Sequence, residues 1–332
     1  MARLTLVFLA LAACTSDKPE TGDTAPEGWT LLAEDHPSAF LSIWGSGVDD
    51  VWAVGADAGS GPAVAHYDGS AWTTVDTGTS GDLWWVTSTS AGMLWMGGAD
   101  GRVLSYVPSS GQLEAFVLDE AITVFGVWGA ADDDVWAVGG DITRGSDAAQ
   151  IWHYDGHAWT RATIPAEAAG AVAIYKVWGR SASDVYAVGT GGVGVHWDGT
   201  SWTDVPTGTD RNLFTVHGTA SEEIAVGGQF SGTIVAGAGT WTDETPEMAP
   251  QFNGVYAGGE GGPVAVGAGG AVCARFGAGW EPDPRGVVTA YDLHAVWVDA
   301  EGGIWTVGGK LSSFPLDRGI VAYGGGRAVP PL

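Results

Sequence analysis

Short runs of β-branched and aromatic residues alternate with polar, glycine-rich breaks along nearly the whole chain, and apolar positions recur at fixed offsets. The clearest unit is Ile43-Trp44-Gly45 followed four residues later by Asp50-Val51-Trp52-Ala53-Val54-Gly55. It returns as Val127-Trp128-Gly129 with Asp134-Val135-Trp136-Ala137-Val138-Gly139, and as Val177-Trp178-Gly179 with Asp184-Val185-Tyr186-Ala187-Val188-Gly189. Taking Trp44 as the reference, the equivalent residues are Thr87, Trp128, Trp178, His217, Tyr256 and Trp297, at intervals of 43, 41, 50, 39, 39 and 41 residues. A period of this size marks a repeat architecture of stacked or radially arranged units.

One residue before the reference stands a β-branched side chain in all seven copies, from Ile43 to Val296. Four before it stands Phe40, Leu83, Val124, Ile174, Leu213, Phe252 or Leu293. Stiff, branched side chains suit a strand packed between neighbouring sheets. A second run follows a short polar turn (Val51-Trp52-Ala53-Val54), then a third (Val64-Ala65-His66-Tyr67). An Asp-Gly turn leads to a fourth, Trp72-Thr73-Thr74-Val75. Gly in such breaks supplies the positive φ of hairpin turns. Each repeat reads as a four-stranded antiparallel meander. No segment sustains a 3.6-residue apolar period, so helix should be nearly absent.

The seventh copy stops at Gly324-Gly325-Gly326 without its Trp-containing fourth strand. Near the other end, Gly28-Trp29-Thr30-Leu31-Leu32 resembles Ala71-Trp72-Thr73-Thr74-Val75. Supplying that strand from the N-terminal side removes two exposed sheet edges at once. The expected fold is all-β: a seven-bladed β-propeller of four-stranded antiparallel blades, its ring closed by an N-terminal strand. The propeller spans residues 28–326, with a short C-terminal tail at 327–332.

Residues 1–13 join a short basic start to the apolar run Leu4-Thr5-Leu6-Val7-Phe8-Leu9-Ala10-Leu11, too brief for a membrane span. The run ends in Leu11-Ala12-Ala13-Cys14, which resembles the lipobox of bacterial lipoproteins. That resemblance implies cleavage after Ala13, acylation of Cys14 and attachment to the membrane through the acyl chains. Thr15, rather than Asp, after the cysteine implies the outer membrane of a bacterial envelope. Residues 14–27 are polar and lack apolar side chains beyond Ala25, as a tether would. With Cys14 acylated, Cys273 has no disulfide partner and falls at a core-facing position of a third strand.

Acidic residues number 39 against 13 basic ones, for a formal net charge of −26. Such a charge repels phosphate backbones, so nucleic acid is an unsuitable partner. The head is expected to be monomeric. Asp49-Asp50 and Asp132-Asp133-Asp134 suggest calcium, but lack the spaced oxygen ligands of a calcium loop and suit tight turns. His66, His153 and His196 sit at matching positions of separate repeats, too far apart to share a zinc ion. His217 and His294 fall at different heights of the register. No nucleophile elbow, zinc helix or paired-carboxylate motif stands out, and an axial arginine cluster is missing, Lys176 being the basic residue the first strands offer. No cofactor is expected.

Three residues before the reference the copies differ: Leu41, Trp84, Phe125, Tyr175, Phe214, Asn253 and His294. First strands line the channel of a propeller. Trp84, Trp85, Phe125, Tyr175, Lys176, Phe214, Asn253 and His294 are therefore the candidate ligand-binding residues at its mouth, an aromatic collar with a few polar groups.

The repeat is similar to the Asp-box or BNR-type unit of the Ycf48 family, on Asp50-Val51-Trp52-Ala53-Val54-Gly55 and Tyr67-Asp68-Gly69-Ser70-Ala71-Trp72. It departs from the family's D-G-G-x-T-W, having Ser70, His157 or Thr200 after the turn glycine. A looser similarity, in the Val-Trp pairs and the G-x-x-W before the last strand, is to tectonin-type lectin propellers, which implies glycan binding. The expected function is a non-enzymatic binding or scaffold module for a protein or glycan. The alternative is a secreted glycan-active enzyme on an Asp-box-type propeller.

Overall fold

The computed structural model describes residues 28–89, 92–229, 231–259, 261–277 and 279–332. The leader 1–13, Cys14 and the rest of the tether 14–27 lie outside the described residues, which begin at Gly28.

The described residues form seven four-stranded antiparallel sheets. In six of them the four strands follow in chain order; blade 1, for example, comprises Phe40–Gly47, Asp50–Asp57, Pro62–Tyr67 and Trp72–Thr74. Blades 2 to 7 open with Leu83–Ser88, Thr123–Ala131, Ile174–Ser181, Leu213–Gly218, Phe252–Tyr256 and Asp292–Val298. The register inferred from the repeat holds throughout. Trp44, Thr87, Trp128, Trp178, His217, Tyr256 and Trp297 pair with Trp52, Trp95, Trp136, Tyr186, Ile224, Val264 and Trp305 respectively. Among the described residues the α-helix is one turn, Ala166–Ala169, within the longest repeat interval.

The seam closes as expected. Strand Thr30–His36 adds to the outer edge of blade 7 by pairing with Asp317–Gly324, from Thr30 opposite Tyr323 to His36 opposite Gly319. Trp29 stands just ahead of it, its indole N–H donating to Gly286 O at 3.2 Å, with the Arg285 guanidinium 4.8 Å from its ring. The tail also lies on this seam. Leu332 N donates to Leu32 O at 2.8 Å, Trp72 Nε1 donates to Pro330 O at 3.2 Å, and Val329 is buried.

Second strands are buried along almost their whole length, because each faces a neighbouring blade on both sides. The fourth strands that carry a Trp-Thr pair are short and largely exposed, which limits pairing with other chains. Blades pack through apolar side chains of adjacent sheets: Trp136, Val138 and Ile151 of blade 3 meet Ile174, Val177 and Val185 of blade 4.

The Trp-Gly phrase has a packing cause. A Cβ on Gly179 of blade 4 would lie 2.7 Å from the Trp128 ring of blade 3. The same close approach brings Trp178 against Gly218 and Trp297 against Gly45. The glycine leaves room for the preceding blade's indole.

Candidate functional site

Each first strand carries a register shift, and in every blade it falls at the residue three before the reference. The pairing skips Leu41, Trp84, Phe125, Tyr175, Phe214, Asn253 and His294 in turn. An extra residue in one strand re-aims its side chain. Six of these seven side chains line a cavity of about 410 Å³ at one end of the channel. The seventh, Leu41, is fully buried and clusters with Leu316, Ala39 and Ala56.

The aromatic occupants touch in sequence. Trp84 and Phe125 have ring centroids 5.4 Å apart, Phe125 and Tyr175 5.3 Å, and Tyr175 and Phe214 5.4 Å, all edge-to-face. His294 joins the other end of the arc, 5.8 Å from Trp84. Edge-to-face pairing is the favourable arrangement for ring quadrupoles, so the rings support one another as a continuous wall. Burial raises the Tyr175 pKa and keeps it a phenol.

The wall opposite, from blades 6 and 7, is polar. Gln251 Nε2 donates to Asn253 Oδ1 at 2.9 Å, and Asn253 Nδ2 donates to Leu293 O at 2.8 Å. Asp292 Oδ1 accepts from Gly269 N at 3.0 Å. His294 Nδ1 faces Leu41 O, so that nitrogen carries the proton. Burial, with Lys176 nearby as a lesser cause, lowers the His294 pKa from 6.5 to about 4 and keeps the ring neutral.

Below the mouth the channel narrows to a waist. The residues one step further along the first strands are Ser42, Trp85, Gly126, Lys176, Thr215, Gly254 and Ala295. Five are small, and the two long ones meet: Lys176 Nζ lies 3.4 Å from the Trp85 ring centroid and donates to Phe125 O at 3.0 Å. Removal from water pushes the Lys176 pKa well below its ordinary 10.5. Lys176 still contributes to the mouth. Trp85 instead lines a second cavity, of about 200 Å³, on the other side of the waist. All seven reference residues, from Trp44 to Trp297, line that far cavity. His217 is among them, its Nδ1 accepting from Ala257 N at 3.2 Å, and burial lowers its pKa to about 4.

Of the eight residues singled out in the sequence, the structure thus brings Trp84, Phe125, Tyr175, Lys176, Phe214, Asn253 and His294 around one cavity and sets Trp85 beneath it. Sequence reasoning missed Ile142, Leu311, Ser312 and Leu316, which come from loops after the second strands of blades 3 and 7. It also missed Gln251 and Asp292, two residues before Asn253 and His294. That position varies among the copies just as the bulge position does, which was the available signal.

The remaining candidates serve the blades. His66, His153 and His196 donate from Nε2 to Asp50, Asp134 and Asp184 of their own blades at 2.7–2.8 Å. Each imidazole stacks on the second-strand aromatic two residues after that aspartate: Trp52, Trp136 or Tyr186. Asp68, Asp155 and Asp198 cap their turns by accepting backbone N–H groups two and three residues on. Arg180 extends the first strand of blade 4, so Lys176 is not the sole basic residue there. Its guanidinium binds Asp184 and the fully buried Glu223 of blade 5, leaving it tied between blades. Cys273 is buried in a third strand opposite Ala265, at the core-facing position its alignment implied.

No protein-family model matches this chain, and no curated protein matches its sequence. Its backbone is similar to solved propellers. The WD40 beta propeller domain of Doa1 superposes with a TM-score of 0.67 at 13% identity, over 89% of this chain and 97% of that one. Ycf48 from Cyanidioschyzon merolae gives 0.64 at 15% identity, over 90% and 99%. Ycf48 bound to a D1 peptide gives 0.65 at 13%, over 91% and 96%. At such identities the likeness establishes the propeller fold alone.

Proposed function

We propose that this chain is a non-enzymatic binding module, held on the bacterial envelope through acylated Cys14, whose ligand enters the aromatic mouth of the channel. The ligand is a segment of a protein or a glycan. The observation that carries the reading is the bulge repeated in seven first strands. It turns a variable position of the repeat into one cavity, where four aromatic rings and a neutral histidine form a continuous wall. A structural filler would be expected to repeat like the rest of the blade; this position does not. An apolar wall facing a few polar groups is the usual composition of a small-ligand or side-chain site, and 410 Å³ lies within its usual ~300–1,000 Å³ range.

The alternative, a glycan-active enzyme, needs two carboxyl groups flanking the bond to be cleaved. Among the described residues lining the mouth, Asp292 is the one carboxylate. The test is a screen of glycans and envelope proteins against the head starting at Gly28, followed by Trp84→Ala and Tyr175→Ala. Losing one ring of the wall is expected to weaken binding at least about tenfold, the effect of removing a buried aromatic anchor. Turnover of any screened glycan, abolished in Asp292→Asn, would defeat the proposal.

A further inference from the structure

The polar wall leaves three acceptor atoms unengaged. His294 commits its proton to Leu41 O, so Nε2 presents a lone pair, with no partner among the described residues. Gln251 uses one amide N–H on Asn253 and leaves Oε1 as an acceptor. Asp292 uses one oxygen on Gly269 N, leaving the other. These three face an aromatic wall across the same cavity. We propose, resting on the mouth being a binding site, that it takes a guanidinium group, the side chain of an arginine on an exposed segment of a partner protein.

The chemistry is complementary at each point. A guanidinium is donor-only and planar, so it fills several fixed acceptors at once and stacks on aromatic faces. A neutral sugar leaves the charge of the Asp292 carboxylate unanswered, whereas a guanidinium meets it with a charge-assisted hydrogen bond. An ammonium is a strongly hydrated point charge that reaches fewer separated acceptors. The field of a chain with 39 acidic and 13 basic residues draws a basic partner towards the mouth. Lys176 is engaged elsewhere: its nitrogen is turned onto Trp85 and Phe125 O, and burial lowers its pKa. Macromolecular origin follows from the surroundings: Ile142 on the rim is 59% exposed, and Phe314, on the same loop as Leu311, Ser312 and Leu316, is 79% exposed. Exposed apolar groups around a polar anchor suit contact with a protein surface better than with a free metabolite.

The experiment titrates the full chain by calorimetry with a terminally blocked Gly-Gly-Arg-Gly-Gly peptide, its lysine, citrulline and norleucine counterparts, and N-acetylarginine amide. The arginine peptide should bind at least about tenfold more tightly than the citrulline peptide, the discrimination expected when one charge-assisted hydrogen bond is lost. Asp292→Asn, whose amide oxygen can still accept from Gly269 N, should erase that preference. Equal affinity for arginine and citrulline, no arginine-dependent binding at millimolar peptide, or indifference to Asp292→Asn each overturns the inference. N-acetylarginine amide binding as tightly as the peptide overturns its protein source. A neutral peptide or glycan whose binding is lost in Trp84→Ala overturns the guanidinium and leaves the mouth as a binding site. If no ligand depends on Trp84, both readings fall.

Discussion

His294 and His217 occupy opposite ends of one channel and share one consequence. Each is neutral when folded, with a pKa lowered from 6.5 to about 4, chiefly by burial. The unfolded chain therefore binds more protons than the folded one between these values, and stability rises with pH across that window. The contribution is complete above about pH 6.5 and is lost as pH falls towards 4. Each histidine accounts for on the order of 2–3 kcal/mol of that loss. Asp57 and Asp119, whose pKa values are lowered by hydrogen bonds, act below this window. Chemical denaturation at a series of pH values should show a slope between 6.5 and 4 that flattens in His294→Gln and again in the double variant with His217→Gln; an unchanged slope would contradict the buried neutral state. At this scale the sequence separated the heights of the two histidines correctly. It grouped Trp85 with Trp84 because adjacent residues of a bulge look equivalent in a string, although one lines the mouth and the other fills the waist.

The blade was legible because its pattern is redundant. The β-branched position, the buried second strand and the Asp-Gly turn each recur, and together they determine strand order and register. The bulge was also written in the spacing. Two core positions stand three residues apart in every first strand, as Val124 and Val127 do, yet a regular strand alternates faces every residue. Both are buried because one residue between them is unpaired. Blade packing was less legible, since the space an indole needs lies in a neighbouring repeat. Gly179→Ala would put a methyl group 2.7 Å from the Trp128 ring. It is expected to destabilise the fold by about 1–3 kcal/mol, the usual cost of overpacking. Trp128→Leu in the same chain should recover part of that loss. Thermal unfolding of the two single variants and the double variant measures the coupling.

For the whole molecule, closure was readable from one missing strand and one surplus strand. The second fastening was not, because residues 327–332 carry no repeat signature. Yet the tail bonds the closing strand through Leu332 N and Leu32 O, and places Arg327 against Asp49 and Pro330 O against Trp72 of blade 1. A chain ending at Gly326 should be less stable by about 2–4 kcal/mol, from the apolar burial of Val329 and Leu332 together with one backbone hydrogen bond. Its melting transition should shift down while the mouth's ligand affinity stays the same, since none of these contacts reaches the channel.

The placement of Trp29 bears on how the molecule would carry a mechanical load. Its indole sits against Arg285 and Gly286, in the loop between blades 6 and 7, one residue ahead of the closing strand. Tension arriving along the chain towards Gly28 is taken first by that wedged ring, and only afterwards by the hydrogen bonds of Thr30–His36. The ring acts as a cleat for the seam. Load reaching the fold from its N-terminal side therefore does not fall first on the strand that keeps the circle shut.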